Sequence, residues 1–161
     1  MRFFIIFFAI LIGLFTAELS IPVQNQLIIP FTEMVAHISG WLVQLFDKTV
    51  LFRGVELIDT QSGFAVSIQA GCNGVEAAII LIAAILAFPS SWQQKLIGVV
   101  VGFVSVQALN ILRIISLFYL GQWNLEAFNW AHLYIWQALI MLDVLIVFLV
   151  WLKFIPNVVH Q

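Results

Sequence analysis

The chain has 161 residues, of which 63% are hydrophobic and 9% charged, with a formal net charge of −2. A soluble domain is about 25% charged, and one of this length could not hide so much apolar surface in a single core. Six Lys and Arg residues in all leave no basic footprint for nucleic acid, so a secreted globular domain, a disordered chain and a nucleic-acid binder are excluded and a small integral membrane protein remains.

Four apolar stretches, about 3–19, 72–88, 96–120 and 128–152, are read as spans. A spanning helix needs about 20 mostly apolar residues. The first stretch has no charge until Glu18 and is read as a retained anchor, because Phe15-Thr16-Ala17 is a poor signal-peptide cleavage site. Between spans one and two, Phe31–Leu51 carries apolar residues at Phe31, Met34, Val35, Ile38, Leu42, Leu45 and Phe46. That spacing predicts an amphipathic helix lying along the membrane surface on that face. Val55–Ile58 and Phe64–Ile68 flank the turn Asp59-Thr60-Gln61-Ser62-Gly63 and predict a β-hairpin. The second stretch reaches spanning length only if its helix starts near Cys72 and runs to Pro89. Leu96–Leu120 contains Arg113, and Phe128–Leu152 contains His132 and Asp143. With no internal repeat or linker, residues 1–161 form a single domain. The fold class is an all-α integral membrane protein of about four transmembrane helices, with an amphipathic segment and a small hairpin facing outward.

Charge sets the orientation. Arg2, Lys95 and Lys153 flank one side of the spans without an acid beside them, which puts both termini and the Pro89–Lys95 turn in the cytoplasm. Residues 20–71 and 121–127 then face outward.

On this topology Cys72, Arg113 and His132 come from three helices to about the same outer depth. Each has a bland reading: a buried small side chain, a snorkelling arginine, a histidine in an aromatic belt. Together they fit acyl transfer. A thiol is the nucleophile, an imidazole moves the proton, and a fixed guanidinium stabilises the oxyanion. Gly71 and Gly74 let backbone approach Cys72 closely, and a helix start beside it favours thiolate. Asn73, Glu76 and Asn110 are supporting residues. Asn110 shares a face with Arg113; Glu76 lies one turn beyond Cys72 and opposes thiolate unless paired. Asp143 is expected either to partner a polar group on another span or to be protonated. Gly98 and Gly102 form a Gly-x-x-x-Gly packing pair. His37 and His160 are expected to be solvated and inert. The single cysteine excludes disulfides, a Cys-x-x-Cys centre and a Cys-rich zinc site, and no cofactor or metal is expected.

The segments Ala70-Gly71-Cys72-Asn73-Gly74-Val75-Glu76, Leu109-Asn110-Ile111-Leu112-Arg113-Ile114 and Trp130-Ala131-His132 resemble the exosortase/archaeosortase family over about 64 to 152. Leu117-Phe118-Tyr119-Leu120-Gly121 and Trp136-Gln137 look most like its exosortase H branch. The resemblance implies a multipass cysteine enzyme of the bacterial inner membrane with its site facing the periplasm. Its partner would be the C-terminal tripartite sorting signal of exported proteins: a short motif, a transmembrane helix and a basic cluster. By the motif match, Cys72 corresponds to the nucleophile, Arg113 to the oxyanion-stabilising arginine and His132 to the acid/base. Four spans would be little more than the family's catalytic core, leaving open an oligomer or accessory protein. The competing reading is a non-catalytic membrane scaffold in which Arg113 and Asp143 pair between helices. A haem protein lacks a second histidine within the spans, and a serine protease lacks Gly-x-Ser-x-Gly.

Overall fold

The computed structural model describes residues 1–155. Among them, helix α1 is Arg2–Glu18, α2 is Ile21–Gln44, α3 is Val75–Ala87, α4 is Trp92–Trp123 and α5 is Leu125–Lys153. Strands β1 (Val50–Arg53), β2 (Glu56–Asp59) and β3 (Ala65–Ser67) form one antiparallel sheet in that order.

Helices α4 and α5 are each long and apolar enough to cross a membrane. Helices α1 and α2 pass the same test only as a pair, bent by 69° where Ser20 precedes Pro22. The described residues therefore hold two or three candidate spans where four were expected. The second expected span is the shortfall. Helix α3 has 13 residues, a rise of about 20 Å against a hydrocarbon core about 30 Å thick. It begins after Gly74, whose φ of +77° ends the preceding loop, so Cys72 lies outside the helix.

The three cationic flanks meet at one end of the bundle. Arg2 and Lys95 line one cavity with Phe3 and Phe88, and Lys95 Nζ donates to the Leu86 carbonyl at 2.6 Å. Trp151, two residues before Lys153, donates from Nε1 to the Gln94 carbonyl at 3.0 Å. A capping box of Ser91 and Gln94 starts α4 here.

Close packing holds α3, α4 and α5 together, since lipid gives helices no hydrophobic drive to associate. Leu81 and Ile85 of α3 meet Val106 of α4 and Ile140, Val144 and Trp151 of α5. The Gly98/Gly102 pair works as expected: a Cβ at Gly98 would enter the Trp151 ring, and one at Gly102 would stand 2.6 Å from Leu81 Cδ2. A second core at the opposite end joins Val35, Ala36 and Val43 of α2, Val50 and Leu57 of the sheet, and Ile114 and Phe118 of α4.

The region before α3 departs most from expectation. The helix expected to run to Leu51 stops at Gln44. Asp47 Oδ1 then accepts the Thr49 amide at 3.0 Å, turning the chain into β1. Strands β1 and β2 meet through the two-residue turn Gly54-Val55, with Gly54 at φ +57°, the Gly-first hairpin turn. The expected hairpin is present as β2–β3, pairing Glu56 with Ser67 and Ile58 with Ala65. The side of α2 that packs on the protein is the one opposite most of the expected apolar stripe, with Val35 the exception. Thr32, Val35, Ala36, Ser39, Gly40 and Val43 are buried, while Met34, Ile38, Trp41 and Leu45 are exposed. Small residues let the helix approach its neighbours, and its large apolar residues point away from the protein.

Candidate active site

Cys72 is set by the loop between β3 and α3. Its amide donates to the Gln69 carbonyl at 2.9 Å, which closes a turn. Gly71 has φ +84° and Gly74 φ +77°, a region that L side chains enter at a cost of about 1–2 kcal/mol. Between these residues the chain turns sharply enough to present Cys72 at the mouth of α3. Asn73 is fully buried and pins the loop from below. Its Nδ2 donates to Thr32 Oγ1 of α2 at 3.0 Å, and its Oδ1 accepts the Val75 amide at 3.1 Å. Glu76 accepts the Gly71 amide through Oε1 at 2.6 Å. The two supporting residues beside Cys72 therefore hold its backbone on both sides.

His132 comes from α5. Residues Ala131–Ile135 form a π-helical segment within that helix, a widened turn often found at functional sites. Phe128, one turn earlier, stacks on the imidazole with ring centroids 5.7 Å apart and planes 22° apart. Phe128 meets Phe64 edge-on at 6.5 Å. Phe64 fits over α4 because Gly121 has no side chain; a Cβ there would enter the Phe64 ring. Sequence reasoning missed this relay from the hairpin turn to the imidazole. The signal available was Phe128 at i−4 from His132.

The two side chains meet: Cys72 Sγ lies 3.0 Å from His132 Nε2. Arg113, only 3% exposed in α4, completes the group. Its Nη2 donates to Cys72 Sγ at 3.6 Å and its Nη1 to the Gly71 carbonyl at 3.3 Å. Arg113 Nε is buried without a hydrogen-bond partner among the described residues, so one guanidinium donor is uncommitted. A cavity of about 220 Å³ opens on all three side chains and is walled by Val66, Ile68 and Phe128.

Glu76 is paired with the Gly71 amide. A thiol beside an imidazole nitrogen and a guanidinium is an arrangement that can pass a proton from sulfur to nitrogen and hold negative charge on sulfur.

The other singled-out residues lie apart. Asn110 is fully buried beneath Gly74, with neither amide atom hydrogen-bonded among the described residues. Asp143 does not find the expected polar partner: its Oδ2 is buried and unpaired among the described residues. His37 is exposed and its ring lies 4.8 Å from that of Phe52. His160 lies outside the described residues. No group of three or more His, Cys, Asp or Glu side chains among the described residues could hold a metal ion.

A family model for transmembrane exosortases matches residues 1–152. No curated protein matches the chain, and no solved structure matches it.

Proposed function

The chain belongs to the transmembrane exosortase family, and on that premise we propose that it is a cysteine transpeptidase that cuts the C-terminal sorting signal of exported proteins. The observation that carries the reading is the approach of Cys72 Sγ to His132 Nε2, 3.0 Å, with Arg113 Nη2 at 3.6 Å from the same sulfur. Nucleophile, base and cation within hydrogen-bond reach are what acyl transfer requires.

In the proposed reaction the Cys72 thiol gives its proton to His132 Nε2 as sulfur attacks the scissile carbonyl carbon. The carbonyl oxygen takes the negative charge, and Arg113 turns a donor toward it. One such donor is worth about 10²–10³ in rate. His132 returns the proton to the leaving amine, the C–N bond breaks, and a thioester on Cys72 remains. An acceptor amine or water then attacks that thioester, giving its proton to His132, and Cys72 leaves as thiol.

The proposed topology keeps four crossings. Helix α3 and its preceding loop act together as the second, and the ends carrying Arg2, Lys95 and Lys153 lie in the cytoplasm. Gathering of those cations at the end away from Cys72 supports a site at the periplasmic face of a bacterial inner membrane. Substrate would then enter with its transmembrane helix in lipid and its short motif at the sheet.

The test is mass spectrometry of a candidate tailed protein co-expressed with wild type or with Cys72→Ala. Wild type should yield a shortened chain, or one bearing a new C-terminal group, and the variant the full-length chain. Normal processing by Cys72→Ala would refute the proposal and leave the non-catalytic scaffold.

A further inference from the structure

Strand β3 is an edge strand, and its free side belongs to the cavity that holds Cys72. Its inner side is fully engaged. The Asp59 amide donates to the Phe64 carbonyl at 2.9 Å and the Ile68 amide to the Val55 carbonyl at 2.9 Å, with Leu57 opposite Val66 between them. Antiparallel hydrogen bonding alternates along a strand, so Ala65 and Ser67 turn both N–H and C=O away from β2. No group among the described residues takes the Ser67 amide or carbonyl. Residues Val66 to Ala70 form a continuous wall of the cavity, and Cys72, Arg113, His132 and Phe128 complete it. Edge strands are normally guarded by a proline, a charge or a covering element. The residues of β3 are Ala, Val and Ser. The other edge, β1, carries Arg53 and packs on α2.

We propose that the outer edge of β3 is the docking strand for the segment to be cut, which adds to the sheet as a fourth strand and so delivers its carbonyl to Cys72. The proposal rests on the peptidase reading above. The occupant is an extended peptide because an unpaired strand edge offers alternating donors and acceptors, which extended backbone matches. Main-chain pairing fixes position while leaving side-chain choice to the cavity walls, Phe128 and Leu117 among them. It also suits a motif just ahead of a transmembrane helix, which must reach the site unfolded.

The test uses the full-length protein in dodecylmaltoside. Alkylation of Cys72 by acetyl-trialanyl chloromethyl ketone is followed by intact mass, beside probes N-methylated at one amide each. Iodoacetamide, which has no strand to pair, reports the thiol alone. Each main-chain hydrogen bond is worth about two- to tenfold, and a methyl group also blocks approach. N-methylation at alternate amides should slow labelling about tenfold, and at the intervening amides leave it unchanged. Ser67→Pro removes an outward N–H without touching the ladder to β2. It should slow the trialanyl probe to the rate of its slowest methylated form, with iodoacetamide labelling unchanged. Equal tolerance of every methylated probe, or a Ser67→Pro protein that reacts like wild type with the trialanyl probe, overturns the proposal. The methylated series stands without the variant should Ser67→Pro misfold. Processing lost in Cys72→Ala but normal in Ser67→Pro would refute the docking strand alone, whereas normal processing in Cys72→Ala refutes the peptidase reading beneath it.

Discussion

Gly71 and Gly74 flank the proposed nucleophile with nearly the same backbone angle, φ +84° and +77°, in very different surroundings. A Cβ at Gly71 would meet nothing within 4 Å. One at Gly74 would stand 2.8 Å from Gln107 Nε2 and 3.1 Å from Asn110 Cγ. Those amides belong to buried residues, so they cannot swing into open space. Alanine at either position carries the left-handed backbone cost, about 1–2 kcal/mol. At Gly74 it adds overpacking, about 1–3 kcal/mol. The difference between the variants therefore isolates the packing. For a chain of this size, Gly74→Ala should melt roughly 2–12 °C below Gly71→Ala. The assay is thermal unfolding in detergent, followed by the fluorescence of the 6 Trp residues. Because Gly74 caps α3 beside Cys72, iodoacetamide labelling should also change in Gly74→Ala more than in Gly71→Ala. A Gly71→Ala protein that melts at or below Gly74→Ala would refute the packing argument.

Two further predictions concern charge. Arg113→Lys keeps the cation but loses the fork that reaches both the Gly71 carbonyl and Cys72 Sγ. Processing should fall about 10²–10³-fold, while the pH profile of Cys72 alkylation stays near wild type. Arg113→Met should shift that profile upward, because a cation 3.6 Å from the sulfur favours thiolate and is then gone; an unshifted profile would contradict the electrostatic role. Asp59 is buried and accepts the Ser62 hydroxyl and amide at 2.6 and 2.9 Å and the Thr49 hydroxyl at 2.6 Å. The Ser62 and Thr49 hydroxyls hold its carboxyl well below the usual carboxylate range. A depressed folded-state pKa contributes stability above the unfolded value, about 4, and loses it as pH falls further. Asp59→Asn should therefore be less stable than wild type at pH 7, with the gap closing below pH 4. A gap constant from pH 7 to 3 would show that the carboxylate charge plays no part.

The long apolar runs were legible because a membrane demands them: α1, α4 and α5 fall within a few residues of the stretches read as spans. The meeting of Cys72, Arg113 and His132 was legible from depth, since they are polar groups where lipid tolerates few and three segments bring them to one level. Periodicity showed the large apolar stripe of α2 but not the face of small residues that packs on the protein. In water an apolar stripe marks the buried side of a helix. Beside lipid, Met34, Ile38 and Trp41 are at ease outside, and Thr32, Ala36, Ser39 and Gly40 turn inward because they are small. Strand β1 was hidden because Val50 and Leu51 were read as part of the preceding helix, across the polar break Asp47-Lys48-Thr49. The turn that separates it from α2 rests on the Asp47 carboxylate, and the turn into β2 on one glycine. The π-helical segment around His132 left no trace in residue spacing.

The shortness of α3 has a consequence for solvent. On the proposed topology the crossing that begins at Pro89 is completed by Ile68–Gly74 as irregular backbone. Peptide groups free of helix or sheet survive at hydrocarbon depth only against protein or water. Protein provides part of that shelter, through Glu76 on the Gly71 amide and Arg113 on the Gly71 carbonyl. The cavity beside β3 provides the rest if it is wet. The active site is then a water-filled notch cut into the bilayer, and lipids around it border an aqueous wall in place of a continuous apolar one.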